Sequence, residues 1–374
     1  MLTNVSTTSA ASEPSGAARA FSLPGGVYNA TPPRIIFGAG TLSRVVDEVE
    51  HYGAKRALVL STPGRSELAQ RVVELLGERC VGLLPEAVSQ VPIELTYRGQ
   101  ARAKELGADC LVSVGGGASI GLGKGIGLKL PLPIIAIPTT YSGSEMTGFC
   151  GITIDGVKRM HMSLGMLAST VIYDPELSLR LPYEVSVASA FNALAHCIDA
   201  IYVPTCGATS TFAAVEGARS LMDGLSRFKG REHDIDVRSD LLYGAYLGGA
   251  ALTGGFAMQH GVAHVLGGSF DVPHGLSHAL VLPHVTAYNE GYAAAQLARI
   301  SVVTGHPRLG RAIFDLLAAT GLPTSLKEIG FKEGDLERAA DIAVETDDRM
   351  NPGPVTKDVV RRVLDDAFHG RRPE

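Results

Sequence analysis

The residues with the most chemistry in this chain are histidines crowded into its C-terminal half. His196 follows Asn192 by four positions in Ser189-Ala190-Phe191-Asn192-Ala193-Leu194-Ala195-His196, so on a helix the amide and the imidazole share a face. His260 and His264 repeat that spacing, His274 and His278 repeat it again, and His284 follows Pro283. In a chain with 11 histidines, such density between positions 260 and 284 points to a shared site rather than to separate structural roles. Imidazoles so placed suit two chemistries: holding zinc or iron(II), or moving protons and stabilising developing negative charge near neutral pH. Peptide hydrolysis of the HExxH kind is excluded, because Gly261 stands where the glutamate would be.

A second group reads as a cradle for phosphates. Gly115-Gly116-Gly117-Ala118-Ser119 directly follows an apolar run and precedes a helical pattern. Glycines there let the backbone approach a pyrophosphate, and the N–H groups of a helix N-terminus supply donors and a favourable dipole. Further glycines at 121, 123, 125 and 127 cost a helix roughly 1 kcal/mol each relative to alanine. They imply that something comes close to that backbone. Pro138-Thr139-Thr140-Tyr141-Ser142-Gly143-Ser144-Glu145 ends the next apolar run, and Ser61-Thr62-Pro63-Gly64-Arg65 ends an earlier one. Hydroxyls and small residues at the C-terminal ends of parallel strands are what a ligand crevice in an open α/β sheet requires. From these loops Ser61, Thr62, Pro63, Thr139, Thr140 and Ser144 join the glycine loop as cofactor-binding candidates, with Gly38 and Lys158 counted beside them. No acidic residue stands in the Ser61–Arg65 loop to bind the adenosine ribose, so tolerance of NADPH as well as NADH is expected.

The elements that must position these groups follow from the apolar periodicity. Short continuous apolar runs at 34–37, 57–60, 80–84, 110–114 and 134–137 alternate with helical patterns, which predicts a parallel sheet covered on both faces. Ile152 to Arg159 reads as a hairpin turning at Asp155-Gly156. Beyond Leu181-Pro182, alanine-rich helical periodicity takes over. The expected organisation is a disordered tail over 1–25, a dinucleotide-binding α/β domain over 26–178 and an all-helical catalytic domain over 179–374. The 374 residues, 45% of them hydrophobic, support cores of that size. A net charge of −5 without a basic, aromatic-laced stripe argues against nucleic acid as a partner. The five cysteines form no CxxC pair and read as free thiols, no apolar run is long enough to span a bilayer, and a cytoplasmic location is expected.

Taken together, these segments resemble the iron-containing alcohol dehydrogenase superfamily, and within it the maleylacetate reductases. The resemblance rests on Phe37-Gly38-Ala39-Gly40-Thr41, the Gly115–Ser119 loop, Pro138–Thr147, Tyr173-Asp174-Pro175, His260–Gly268, Pro273-His274-Gly275, Leu282-Pro283-His284 and Asn351-Pro352, in the family's order. It implies a Rossmann-like α/β domain and a helical domain in the dehydroquinate synthase-like arrangement, acting as a homodimer. Metal-dependent members hold their ion with one Asp and three His, which here would be Asn192, His196, His260 and His274. Asn192 departs from that pattern, so the resemblance implies work without metal. Fe²⁺ or Zn²⁺ would mark the alternative, an alcohol or aldehyde dehydrogenase, and a non-redox relative is the other alternative. The implied reaction is NAD(P)H-dependent reduction of the enone of maleylacetate, a small acidic keto-ene, to 3-oxoadipate in the breakdown of aromatic compounds. His196, His260, His264 and His274 are its expected catalytic residues, with His264 the proton donor, and Tyr141, Asn192 and His278 its expected substrate pocket.

Overall fold

In a computed structural model, residues 32–155 and 157–374 are described. The tail expected over 1–25 lies outside them. The described residues run through β1 (Arg34–Phe37), α1 (Val45–His51), β2 (Ala57–Leu60), α2 (Ser66–Leu76), β3 (Cys80–Leu84), α3 (Ile93–Glu105), β4 (Cys110–Gly115), α4 (Gly117–Gly127) and β5 (Ile134–Pro138). A two-stranded hairpin, β6 (Phe149–Ile154) with β7 (Val157–Met162), precedes β8 (Thr170–Tyr173). Six strands form one sheet in the order β1-β8-β5-β4-β2-β3, every pair parallel.

Side-chain alternation explains why these runs are apolar throughout. In β2, Ala57 and Val59 point to a core with Val45, Val49, Val72 and Leu76 of α1 and α2. Leu58 and Leu60 point the other way, to Leu95 of α3 and Leu122 and Ile126 of α4. A strand covered on both faces has no position at which a polar residue meets water. The strand order also sets the crevice: after β3 the chain returns to the inner side of β2 and builds β4, β5 and β8 in the opposite direction. The switch point therefore lies between β2 and β4, where their outgoing loops diverge.

The glycines of α4 have a different explanation from the one their spacing suggested. A Cβ on Gly123 would lie 2.2 Å from Ser113 Oγ of β4, and one on Gly125 would lie 2.7 Å from Thr96 Oγ1 of α3. What comes close to this backbone is mostly the protein itself. Gly127 is the most constrained, since its Cβ would fall 2.2 Å from the Gly165 carbonyl oxygen. Backbone cannot rotate away as a side chain can. Gly127→Ala is expected to lower the unfolding free energy by about 2 kcal/mol, read from urea midpoints at unchanged slope.

The rest of the chain is helical: α5 (Tyr183–Ala200), α6 (Ala208–Phe228), α7 (Ile235–Leu252), α8 (Met258–Ser269), α9 (His274–Glu290), α10 (Ala294–Thr304), α11 (Leu309–Thr320), α12 (Leu336–Glu345) and α13 (Lys357–His369). Helix α5 runs through the middle, packed on α6, α7 and α9, and every residue from Ala190 to Ala200 is buried. A helix buried on all sides needs small and apolar residues all round. The polar exceptions in that stretch, Asn192, His196 and Asp199, fall at i, i+4 and i+7 on one face.

Candidate functional site

A cleft of about 450 Å³ opens where the C-terminal ends of β4 and β5 meet the helical part of the chain. Its floor is the start of α4, with Gly117, Ala118, Gly121 and Lys124. One wall is the loop after β5, through Thr140, Ser142 and Ser144; the other carries Asn192, His196, His260, His264 and His274. The two groups of residues that could do chemistry thus face each other across one space. Helix α4 starts with no side-chain cap, so its first N–H groups stand ready for an anionic ligand. A Cβ on Gly117 would meet nothing within 4 Å, which leaves room for a bulky group against the backbone, while Gly115 takes φ 136°, open to glycine but strained for other residues. These features fit the pyrophosphate of a dinucleotide.

Gly115, Gly116, Ser119 and Thr139 sit directly behind that surface: Ser119 Oγ donates to the Gly116 carbonyl, and a Cβ on Gly116 would press to 2.9 Å from Thr140 Cγ2. Ser61, Thr62 and Pro63 end β2 on the same rim without lining the cleft. Gly38 follows β1 at the sheet's far edge, where its N–H donates to the Tyr173 carbonyl, and it does not line the cleft. Lys158 lies in β7, and its side chain is outside what is described. Tyr141 also needs correcting as a pocket residue. In the segment after β5 side chains alternate, so Thr140 and Ser142 face the cleft while Tyr141 is turned into the core. There its hydroxyl donates to Ser178 Oγ and accepts from Arg238 Nη1 at 3.1 Å.

The imidazoles come together as their spacing implies. His196 and His260 are stacked with ring centroids 5.1 Å apart, His264 and His274 are stacked at 5.8 Å, and His278 lies edge-on between the pairs, 4.8 Å from both His260 and His274. Burial pushes His196 and His278 well below the usual histidine range, so both are neutral near pH 7. His284 does not join them. It packs on Phe314, and burial lowers it to about 4. Above pH 6.5 it is neutral whether folded or not, and as pH falls from 6.5 to about 4 only the unfolded chain takes up the proton. His284→Gln is therefore expected to remove about 3 kcal/mol of the stability lost across that window, measured by urea titrations at pH 7, 5.5 and 4.

Two buried groups escaped the sequence reading. Lys124 is the one Lys or Arg lining the cleft among the described residues. Its ammonium donates to the Ser144 carbonyl, and to Thr147 Oγ1 and the Phe149 carbonyl at 2.9 Å each, while burial lowers it to about 8. Asp199 is fully buried and touches His260 Nδ1 at 2.8 Å. Its position three residues after His196 was a signal available in the sequence.

Asn192 Oδ1, His196 Nδ1 and His260 Nε2 are buried without hydrogen-bond partners, as befits a site that receives a polar ligand. Yet among the described residues the three side chains whose ligand atoms lie within 4.8 Å of one another are His264, His274 and His278. Neither set includes a carboxylate, because Asn192 offers only a dipole and Asp199 is engaged by His260. The residues present do not match an Asp-and-three-His metal site.

Residues 32–175 match the model of the iron-containing alcohol dehydrogenase family, and residues 186–368 match that of the family's C-terminal part. The chain is 43% identical over 348 residues to a maleylacetate reductase of Burkholderia cepacia, covering 93% of this chain and 99% of that one. Among solved structures it is similar to a maleylacetate reductase of Agrobacterium tumefaciens (40% identity, TM-score 0.88) and one of a Rhizobium strain (39% identity, TM-score 0.89). Each likeness spans 93% of this chain and 99% of the other.

Proposed function

The chain belongs to the iron-containing alcohol dehydrogenase family, and on that premise we propose that it is an NAD(P)H-dependent maleylacetate reductase that converts 4-oxohex-2-enedioate to 3-oxoadipate. The observation that carries this reading is a five-imidazole cluster, without the family's anionic metal ligand, whose His196, His260, His264 and His274 face a glycine-lined helix N-terminus across one cleft. The 43% identity to a maleylacetate reductase over nearly its whole length supports it.

When bound, the nicotinamide supplies the hydride that adds to C2, the alkene carbon β to the C4 ketone. The chain's own residues have three tasks. The start of α4 and the hydroxyls of Thr140 and Ser144 hold the cofactor's phosphates. Donors on the histidine wall meet the ketone oxygen as it takes on enolate charge, and His264 delivers the proton that C3 then needs. An enone spreads its charge onto one oxygen, which imidazole N–H groups can stabilise without a Lewis acid. Asn192, in place of a carboxylate, spares a dianionic substrate a like-charge neighbour, and Lys124 brings an ammonium to the same cleft.

Both NADH and NADPH fit this reading, as do a division into cofactor and catalytic domains and a cytoplasmic homodimer. Among the described residues no helix is long and apolar enough to cross a membrane. The test is oxidation of NADH and NADPH by maleylacetate with EDTA-stripped enzyme. Full activity is expected without metal. Activity that returns only with Zn²⁺ or Fe²⁺ would replace this reading with a metal-dependent alcohol or aldehyde reductase, and cofactor binding without turnover would indicate a non-redox relative.

A further inference from the structure

We propose that Asp199 is the positioning residue of the histidine cluster: it holds the His260 proton on Nδ1 and so presents Nε2 to the cleft as an acceptor. This deepens the reading above and rests on it for the reaction only. Asp199 Oδ2 accepts from the Ala257 N–H at 2.6 Å and the His260 N–H at 3.3 Å, and lies 2.8 Å from His260 Nδ1. Its Oδ1 accepts from the Tyr202 hydroxyl at 2.6 Å. A carboxylate in that company has no proton to give, so the Nδ1 contact must be donated by the imidazole. The partner of one ring nitrogen decides the state of the other. With Nδ1 as the protonated nitrogen of a neutral ring, Nε2 keeps its lone pair, and that atom is buried and unpartnered beside His196 and His278.

The same contacts explain how the ring is aimed. Helix α8 begins at Met258 with no cap from its own sequence, and the Asp199 carboxylate, carried by α5, takes the first donors instead. One side chain thus fixes where α8 starts and how its first-turn histidine is turned. Tyr202 holds the carboxylate from behind and is itself bonded to Asn289, which exchanges two hydrogen bonds with Asn351, at 2.8 and 3.0 Å. The Asn351-Pro352 segment is thereby tied to the cluster through four side chains. With His260 an acceptor, donation to the enolate oxygen and to C3 falls to the other imidazoles, His264 foremost.

The experiment is imidazole ¹H–¹⁵N correlation spectroscopy on the full-length enzyme labelled at histidine, with His260 assigned from His260→Gln, followed by steady-state kinetics of Asp199→Leu and Asp199→Asn. In the wild-type enzyme His260 should carry its proton on Nδ1. Asp199→Leu should lower kcat by about 100-fold while leaving the KM for NADH within about threefold. Asp199→Asn should keep the tautomer and at least about a tenth of kcat, because two backbone donors hold the amide oxygen toward His260. Protonation on Nε2 in the wild type overturns the proposal, and so does a folded Asp199→Leu enzyme with normal kcat. Equal loss in Asn and Leu would show that charge, not tautomer, matters. If Asp199→Leu does not fold, the wild-type spectrum and the Asn variant decide. The tautomer is read without substrate, so a wrong substrate assignment leaves this result standing.

Discussion

His264→Phe is expected to lower kcat for enone reduction by about 10²–10⁴-fold, the range for loss of a positioned general acid, with little change in NADH affinity or melting temperature. His264 sits one turn beyond His260 on α8, half-buried in the cleft wall, with the Phe256 ring edge-on at 6.1 Å. A phenyl ring fills the same space against Phe256 and removes only the nitrogens, so packing is preserved and the proton is not. Because His264 faces the cleft mouth beside exposed His274, it can exchange protons with solvent between turnovers. The deeper His196 and His278 are held neutral and shielded. Stopped-flow decay of NADH absorbance, with kcat and KM for each substrate taken separately, makes the comparison. A variant with kcat within about threefold of wild type would falsify the assignment and move the proton to His274.

Asn192→Asp is the second large change, and it should act on metal and substrate in opposite directions. Asn192 is buried on α5, donating weakly to the Ser142 carbonyl at 3.4 Å with its Oδ1 unpartnered beside His196. A carboxylate there loses that donor and faces the Ser142 carbonyl oxygen. Without metal the variant should be less stable and should use maleylacetate about 10–100-fold less well in kcat/KM, since a dianion is brought to a buried negative charge. With His196, His260 and His274 nearby, the same carboxylate should raise affinity for Zn²⁺ or Co²⁺ at least about 10-fold. Calorimetric titration of stripped wild-type and variant enzyme with Zn²⁺ checks the gain, and Co²⁺ absorption reports the ligand geometry. If affinity does not rise, the histidines are not arranged around the position a metal would take.

How much of the site could be read in advance depended on how local its geometry is. The i, i+4 spacing of Asn192 with His196, and of His260 with His264, dictates a shared helix face wherever the helix goes. The loops after β4 and β5 lie at neighbouring strand ends because both strands are parallel and adjacent. Tyr141 and Gly38 do not line the cleft, for a complementary reason. Belonging to a loop that reaches the cleft does not say which way a side chain points, and β1 sits at an edge that only the strand order reveals.

From its residues alone the chain determined five of the six sheet strands, the parallel sheet, the glycine-lined helix start and the missing carboxylate at 192, because each follows from short-range periodicity or from the identity of one side chain, whereas β8 (Thr170–Tyr173) was placed only by its pairing between β1 and β5. Only the tertiary structure decided that α4's glycines mostly answer to Ser113, Thr96 and the Gly165 carbonyl, that His284 stands apart, and that Asp199 reaches across from α5 to hold His260. Those outcomes depend on contacts between segments far apart in the chain, 61 positions in the case of Asp199 and His260, and no local pattern encodes the distance between two helices packed in a core.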